Sequence, residues 1–462
     1  MYHWNLAKMG RLLRDKRKKA GINMTALADK HISMATISDI ETGKRKVGEK
    51  KIRYYCEKLG INYDQLLTLL EEKEEDYERQ AARIRLRLQA IEDEIKYTSP
   101  KTALRSLKEI QSKLKKNDVF QCVLTFLFAK CYLKDKKREK AYDYYLKAIR
   151  LYEEHQSDPE IQQSNIKAAS LYGLGIIYYR QNDLEKALSC TIDGLEHFTP
   201  HAKRSVFKYA LLINQAIFME KMGDRDNEAL QILEEKMWPY LHEIDSEIVL
   251  TMYDLQATLY NKFRMYPKAI EYAEKGIELA RDVGNIDRGY ELWTTLGKIY
   301  INLQQFDLAK ICFEATSKLE DKVKRQFLSV SIYNNTQLAL LYLNEKDLEK
   351  AARSIENAIY LAKEKNDKLG LCEAFIVQAD YYFILGSSKD AVILLEKAME
   401  IADQYSLQTQ TLTIVLKLSQ YYATIDTIKQ QEYSILFCNL SDQYARRNQI
   451  HGTSYSSVYK TT

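Results

Sequence analysis

A three-point frame recurs along most of this chain at a nearly constant interval. A small residue is followed three positions on by Tyr and twelve positions on by Ala. The copies are Ala129/Tyr132/Ala141, Gly175/Tyr178/Ala187, Ala257/Tyr260/Ala269, Gly297/Tyr300/Ala309, Ala339/Tyr342/Ala351 and Ala379/Tyr382/Ala391. A degenerate copy stands at Ala216 and a last one at Ser419/Tyr422. The small positions lie 46, 41, 41, 40, 42, 40 and 40 residues apart. A unit repeated at such a period cannot bury its apolar face alone, so neighbours must stack into one continuous core. The small residue lets the two helices of a unit approach closely, the Tyr fills the space beside it, and the later Ala sits where the second helix crosses the next unit. Gly 16 and Pro 5 make up about 4.5% of the 462 residues, against a typical ~12%. So few turn-formers cannot punctuate a sandwich, a barrel or an alternating α/β chain, and an all-α fold is expected.

The clearest copy reads Trp293-x2-Leu296-Gly297-x2-Tyr300, then Ala309 and Phe313. It resembles the tetratricopeptide pattern. The resemblance implies about eight helix pairs in a right-handed solenoid whose first helices line a concave groove. A standard tetratricopeptide period is ~34 residues, so the extra residues should lengthen the helices or the turns between repeats. HEAT-like repeats share the longer period, but the nine-residue step from Tyr300 to Ala309 favours the tetratricopeptide reading.

The N-terminal part differs in charge. Residues 1–70 hold 15 Lys/Arg and 7 Asp/Glu, while the rest holds 54 and 57. A basic head on a near-neutral body implies that the head meets a polyanion. Residues 4–69 read as five short helices, with Asn23 and Ser33 as N-caps. Leu6, Leu12, Leu13, Leu27, Ala28, Ile37, Ile40, Ile52 and Leu59 supply the inward faces. The segments Leu13-Arg14 with Arg17, Gly21-Ile22, Leu27-Ala28, Thr36-Ile37-Ser38, Ile40-Glu41 and Gly43-Lys44-Arg45 resemble the Xre/Cro-type helix-turn-helix repressor domain. The resemblance implies a recognition helix from Ser33 to about Glu41. Met34, Ala35 and Asp39 would occupy its base-reading positions, with Thr36 and Ser38 beside them. Lys44, Arg45, Lys46, Arg14 and Arg17 would contact phosphates. The base-reading positions depart from the family habit, which commonly places Gln or Arg there; thymine methyls and a cytosine amine are what Met34, Ala35 and Asp39 could meet.

Between head and repeats, Ile84, Leu88, Ile91 and Ile95 share one helical face, and Ser99-Pro100 restarts a helix carrying Leu104, Leu107, Ile110 and Leu114. The charged run Glu71–Asp76 has no turn-former and reads as solvated helix. The expected division is a head over 1–70, a packed helical connector over 71–118 and the repeats over 119–462.

A Xre-type head on a long-period tetratricopeptide body resembles the RRNPP family of Gram-positive quorum-sensing regulators. The resemblance implies a cytoplasmic transcription factor that binds double-stranded DNA and takes a short signalling peptide in its groove. A homodimer or higher homo-oligomer is expected, because such heads bind paired half-sites. The same family also implies two alternatives: a Rap-like module acting on a response regulator, and a regulator carried by a phage or mobile element. Groove-facing positions, three and four residues apart on the first helices, hold Tyr172, Tyr179, Asn214, Asp254, Thr258, Asn261, Lys298, Asn302, Tyr333, Thr336, Gln337 and Asp380. Asn and Gln can pair twice with a peptide backbone, and Tyr gives a flat wall with a polar tip. Lys298, or Lys262 beside Asn261, could meet a terminal carboxylate.

Catalysis, metal and cofactor binding find no support. GxxxxGK[ST], HExxH and GxSxG do not occur. His197 and His201 have helical ligand spacing, but Pro200 lies between them. The seven cysteines form no CxxC pair and read as buried small hydrophobes in a reducing compartment. The first 19 residues lack the apolar core of a signal peptide, and no stretch approaches the ~20 apolar residues of a membrane span. The last unit carries Tyr433, Ile435, Leu436, Phe437 and Leu440, which suit a packed cap or a dimer contact.

Overall fold

The structure, a computed structural model, describes residues 6–114, 118–324 and 328–450. The described residues are helical throughout, with no strand. The chain divides into two compact units, Met1–Lys147 and Ala148–Thr462.

Unit 1 opens with α1 (Leu6–Lys19), α2 (Met24–Leu27), α3 (Met34–Thr42) and α4 (Glu49–Lys58). Their core holds Leu13, Leu27, Ile32, Ile37, Ile40, Ile52, Tyr55 and Cys56, with Leu12, Ala28 and Leu59 packed at its margin. The Leu6 side chain lies outside the described residues. α1 crosses α3 at Gly10, where an added Cβ would fall 2.1 Å from the Ile40 carbonyl oxygen. Asp29 fixes the turn between α2 and α3. It accepts from the amides of His31 and Ile32 and from the Tyr54 hydroxyl, and it pairs with Lys58 at 2.5 Å. Ser33 caps α3 by accepting from the Thr36 amide. Asn23 stands at the cap position of α2 but makes no side-chain capping bond.

The fifth helix is not short. α5 runs unbroken for 35 residues, Tyr63–Tyr97, carrying the charged run and half of the connector. The expected boundary at residue 70 therefore falls inside one helix. α6 (Pro100–Lys113) starts with Ser99 as cap and Pro100 in its first turn. Leu88, Ile91, Ile95, Leu107 and Ile110 are buried, and Ile84, Leu104 and Leu114 half-buried, as α5 and α6 pack with α7 (Phe120–Lys134). The Lys134 ammonium closes the end of α5 by donating to the carbonyls of Ile95, Lys96 and Thr98, a cation at a helix C-terminus.

Eight helix pairs follow the frame. α7 pairs with α8 (Arg138–Glu154), within which the division between the units falls. After the short α9 (Pro159–Gln162), unit 2 continues with α10 (Ile166–Arg180) and α11 (Leu184–Glu196), then α12 (Phe207–Met222) and α13 (Asp226–Gln231). Next come α14 (Ser246–Lys262) with α15 (Tyr266–Asp282), α16 (Ile286–Asn302) with α17 (Phe306–Ser317), and α18 (Leu328–Asn344) with α19 (Leu348–Lys365). The last pairs are α20 (Lys368–Ile384) with α21 (Ser388–Gln404), and α22 (Gln408–Tyr422) with α23 (Thr427–Ile450). The longer period goes mainly into helix length: α14 and α15 are 17 residues each and are separated by a three-residue turn. The 46-residue interval holds the α9 insertion. Asn165 ties this insertion to the loop after α11, donating to the carbonyls of Thr199 and Lys203 and accepting from the Thr199 amide.

Every alanine of the frame is fully buried, from Ala129 to Ala391. The turn from first to second helix uses a left-handed residue four positions after the frame Tyr: Lys136, Asn182, Arg264, Gln304, Lys346 and Gly386. Only one of these is Gly, which helps to explain the low glycine count. Helix α13 runs on into a π-helical turn, Ile232–Met237, and a 3-10 segment, Trp238–Glu243. Six cysteines are buried and Cys438 is exposed. On α23, Tyr433, Phe437 and Leu440 are half-buried, while Ile435 and Leu436 face solvent.

The tightest contact of the frame is at Gly297. An added Cβ there would lie 2.7 Å from Cζ of Phe313, a fully buried ring on the partner helix. Gly297→Leu is expected to cost about 1–3 kcal/mol by over-packing and to lower the melting temperature measured by circular dichroism; an unmoved melt would mean that the pair α16–α17 does not depend on this approach.

Candidate functional site

In unit 1, α3 presents Met34, Ala35 and Ser38 to solvent, with Thr36 and Asp39 half-buried. Lys44, Arg45 and Lys46 follow the helix and are exposed, as is Arg14 on α1. The Thr36 hydroxyl is engaged with the Ser33 hydroxyl at 2.9 Å.

Arg17 corrects the expectation of a phosphate contact. It is buried and holds Glu41 in a two-point pair, Nε to Oε1 at 2.6 Å and Nη2 to Oε2 at 2.9 Å. Its remaining Nη1 donates to the Ile22 carbonyl, and Tyr55 donates its hydroxyl to Glu41. Burial alone would raise the Glu41 carboxyl, but the bonds from Arg17 and Tyr55 outweigh it and hold it below the usual carboxylate range. Breaking such a pair strands a buried charge, so Arg17 serves the fold of the head.

In unit 2, the first helices of successive pairs form a curved face. Burial pushes the Tyr172 hydroxyl on α10 up, with the charge of Glu247 on α14 adding to this and that of Arg288 on α16 opposing it. Neighbouring first helices are linked across this face. The Thr295 hydroxyl donates to Asp254 at 2.5 Å, Asn302 donates to the Asn261 carbonyl at 3.0 Å, and Gln410 donates to Glu373 at 3.1 Å. Lys417 holds Asp380 at 2.7 Å, and Tyr421 donates to the same carboxylate. Tyr172 meets Phe207 edge-on at 5.2 Å, and Tyr179 stacks on Phe218 at 5.1 Å.

Several expected contacts are thus already occupied. Thr336 is buried and donates to the Ile332 carbonyl in its own helix, so it does not face the groove. Asp380 is held by Lys417 and Tyr421. Lys262 is bound to Glu220 at 2.7 Å and to Asp226 at 3.0 Å, which takes it away from any ligand carboxylate. Asn214, Thr258 and Gln337 are half-buried and Asn302 is exposed.

Lys298 and Tyr333 come together on neighbouring first helices, α16 and α18. The Lys298 ammonium sits 4.6 Å above the Tyr333 ring, a cation–π contact. Desolvation holds Lys298 below its ordinary value, although the charge of Asp254 opposes this. Beyond Tyr333 lies Glu373, pushed above the carboxylate range by burial against the pull of its bond from Gln410. Arg288, Glu291, Glu373, Gln410 and Lys417 belong to this face and were missed by sequence reasoning. Their signal was available, since Glu291 and Lys298 are seven residues apart on one helix, and Glu373 and Asp380 repeat that spacing.

Residues 13–66 match the helix-turn-helix family, and residues 126–155 and 290–320 match the tetratricopeptide repeat. The head is a helix-turn-helix domain and the body a tetratricopeptide-like solenoid. Residues 175–238 and 316–385 also match anaphase-promoting complex subunit 5. No curated protein sequence matches the chain. Among solved structures, the apo quorum sensor NprR from B. thuringiensis superposes with a TM-score of 0.59 at 14% identity, over 78% of this chain and 99% of that one. Apo RapI gives 0.55 at 13% identity, over 79% and 98%. A Rap protein complexed with competence and sporulation factor gives 0.52 at 13% identity, over 79% and 99%. The resemblance to RRNPP-type proteins therefore holds at the level of the fold. No described helix is long and apolar enough to cross a membrane.

Glu291 provides a test of the groove's electrostatics. Burial pushes its carboxyl up to about 7, against the pull of Arg288, 2.7 Å away. A carboxyl with a raised folded pKa binds its proton more tightly in the fold than in the unfolded chain. Its stabilisation is present at low pH and is lost as pH rises through the folded value. The wild type is expected to lose more stability in urea between about pH 5 and 7.5 than Glu291→Gln does; parallel curves would mean that Glu291 titrates as an ordinary surface carboxyl.

Proposed function

We propose that this chain is a cytoplasmic transcriptional regulator. Its head binds double-stranded DNA, its groove takes a short signalling peptide, and it works as a homodimer or higher homo-oligomer without enzymatic activity. The observation that carries this reading is the pairing of an exposed recognition helix and its trailing Lys44-Arg45-Lys46 with a polar, partly desolvated groove. On that face the Lys298 ammonium lies over the Tyr333 ring, and the Glu373 carboxyl, its pKa raised by burial, acts on the same tyrosine. An extended peptide offers a charge of each sign at its termini and a backbone that amides can hold. The fold likeness to a quorum sensor supports the reading.

The direct test is a gel shift with genomic fragments flanking the chain's own gene, with and without short peptides encoded beside it. A shift altered by one of those peptides is the expected result; no binding at low salt under any condition would overturn it. The likeness to Rap proteins keeps a second reading in view, action on a response regulator. Loss of phosphate from a phosphorylated response regulator only in this protein's presence would favour that reading.

Replacing Lys44, Arg45 and Lys46 together by Ala is expected to weaken binding to all duplexes alike. Each lost phosphate contact removes roughly 0.9 from the slope of log affinity against log salt. A slope unchanged in a salt titration would mean that these three side chains do not meet the backbone.

In the groove, the bond from Asn302 to Asn261 leaves an Asn261 amide donor and the Asn302 carbonyl to serve a ligand. Together they offer an extended peptide the same pair of groups that a neighbouring strand would. Each such bond contributes ~0.5–1.5 kcal/mol net. Asn261→Ala with Asn302→Ala is expected to weaken the cognate peptide about tenfold by calorimetry, with peptide-free DNA binding unchanged. Loss of folding instead would assign both amides to clipping the two helices together.

A further inference from the structure

Resting on the DNA-binding reading, we infer that α3 reads its half-site through thymine methyl groups and a cytosine amine, and does not read guanine. A helix-turn-helix sets the N-terminal residues of its second helix against base edges in the major groove. Guanine is read there by the fork of Arg or by Lys on O6 and N7, and adenine by the side-chain amide of Asn or Gln. Met34–Thr42 contains none of these four residue types. Its outward side chains are Met34, 48% exposed, with Ala35 and Ser38. Met34 and Ala35 offer only apolar surface, and the partner for apolar surface in the major groove is the thymine methyl. The Thr36 hydroxyl is engaged with Ser33 at the helix cap and Ser38 offers a single exposed hydroxyl, so neither brings the two-point contact that Arg or Lys makes with guanine O6 and N7.

Asp39 completes the pattern. Asp39 lines an open cavity of about 910 Å³ together with the cations Arg45, Lys46, Lys50, Lys51 and Arg53 and with Glu49, which is paired with Arg53. Among the described residues none of these cations is paired with Asp39. They suit phosphate, whereas a carboxylate repels it. An ionised Asp39 only accepts, so the base edge facing it must donate; cytosine N4 and adenine N6 both do, but adenine sets its N7 acceptor beside N6, which repels a carboxylate and leaves cytosine as the fit. The cations thus lie after the helix and in α4, while the outward face of the helix carries methyls, hydroxyls and the Asp39 carboxylate, Glu41 being buried against Arg17. Affinity and base choice are assigned to different segments of the head.

The test uses the full-length protein and sites selected from random duplexes. In the selected site, replacing a contacted thymine by uracil removes one methyl group and is expected to weaken binding roughly threefold to fivefold. Replacing guanine by 7-deazaguanine is expected to change nothing. Asp39→Asn, at a half-buried and unpaired position, is expected to move the preference at one position from cytosine to adenine, with the circular dichroism melt unchanged. Wild-type protein that selects a site, tolerates uracil and weakens with 7-deazaguanine would overturn the inference. So would an Asp39→Asn variant that selects the same site. Wild-type protein that binds no duplex at low salt would instead overturn the DNA-binding reading itself.

Discussion

Tyrosine hydroxyls reaching back to a glutamate of the preceding pair fasten neighbouring pairs of this solenoid together. Tyr260 donates to Glu234 at 2.8 Å, Tyr342 to Glu314 at 2.8 Å and Tyr422 to Glu396 at 3.2 Å. Each Tyr sits largely buried beside a small frame residue, so its ring packs one pair while its hydroxyl fastens the previous one. Hydrogen bonds to charged groups are worth about 1.5–3 kcal/mol each, and phenylalanine could supply only the packing half. This is one physical reason why Tyr outnumbers Phe, 34 to 13.

The architecture was legible because it is periodic. One buried Ala repeated at 40 residues survives any local noise, and the eight pairs lie where the frame puts them. The glutamates were legible too: Glu234, Glu274, Glu314 and Glu396 follow the same period, although charged residues are normally read as solvated. What escaped was non-periodic. The partner of Arg17 is 24 residues away, and nothing local marks Glu41 as buried. By charge and position Arg17 looks like a phosphate ligand; only the packing of α1 against α3 reveals an internal pair. The continuity of α5 was hidden for another reason. The run Glu71–Asp76 has no Gly or Pro and reads as helix, but the change in net charge at residue 70 draws a boundary that the backbone has no cause to follow.

The groove shows a sharper limit. Helical spacing identifies which side chains share a face, but not whether they meet a ligand or the next helix. Asp254, Asn261 and Asp380 have the chemistry expected of peptide contacts, and each is bonded to a residue 37 to 41 positions on. In a stack with a 40-residue period that offset is the neighbouring helix at the same height. Polar groups on the inner face are therefore shared between holding adjacent pairs together and facing solvent. Thr336 is a simpler case, since a β-branched hydroxyl can satisfy itself on its own helix and then offers nothing outward.

This sharing has a mechanical consequence within the solenoid. Each pair contacts chiefly its neighbours, so the stability of the array is close to a sum of units and interfaces. The links across the inner face lie at the interfaces. A ligand placed there competes with or reinforces the bonds that fix the angle between two pairs, and one lying across several pairs acts on several angles at once. Lys298 illustrates the point. It is the cation that the neighbouring helix engages through an aromatic face rather than a carboxylate, and its ammonium is only partly desolvated by that contact. A carboxylate arriving there would gain a full ion pair and would shift Lys298 relative to Tyr333, which belongs to the next pair. Any carboxylate bound at this position would act on inter-repeat geometry as well, because the same ammonium touches the next pair.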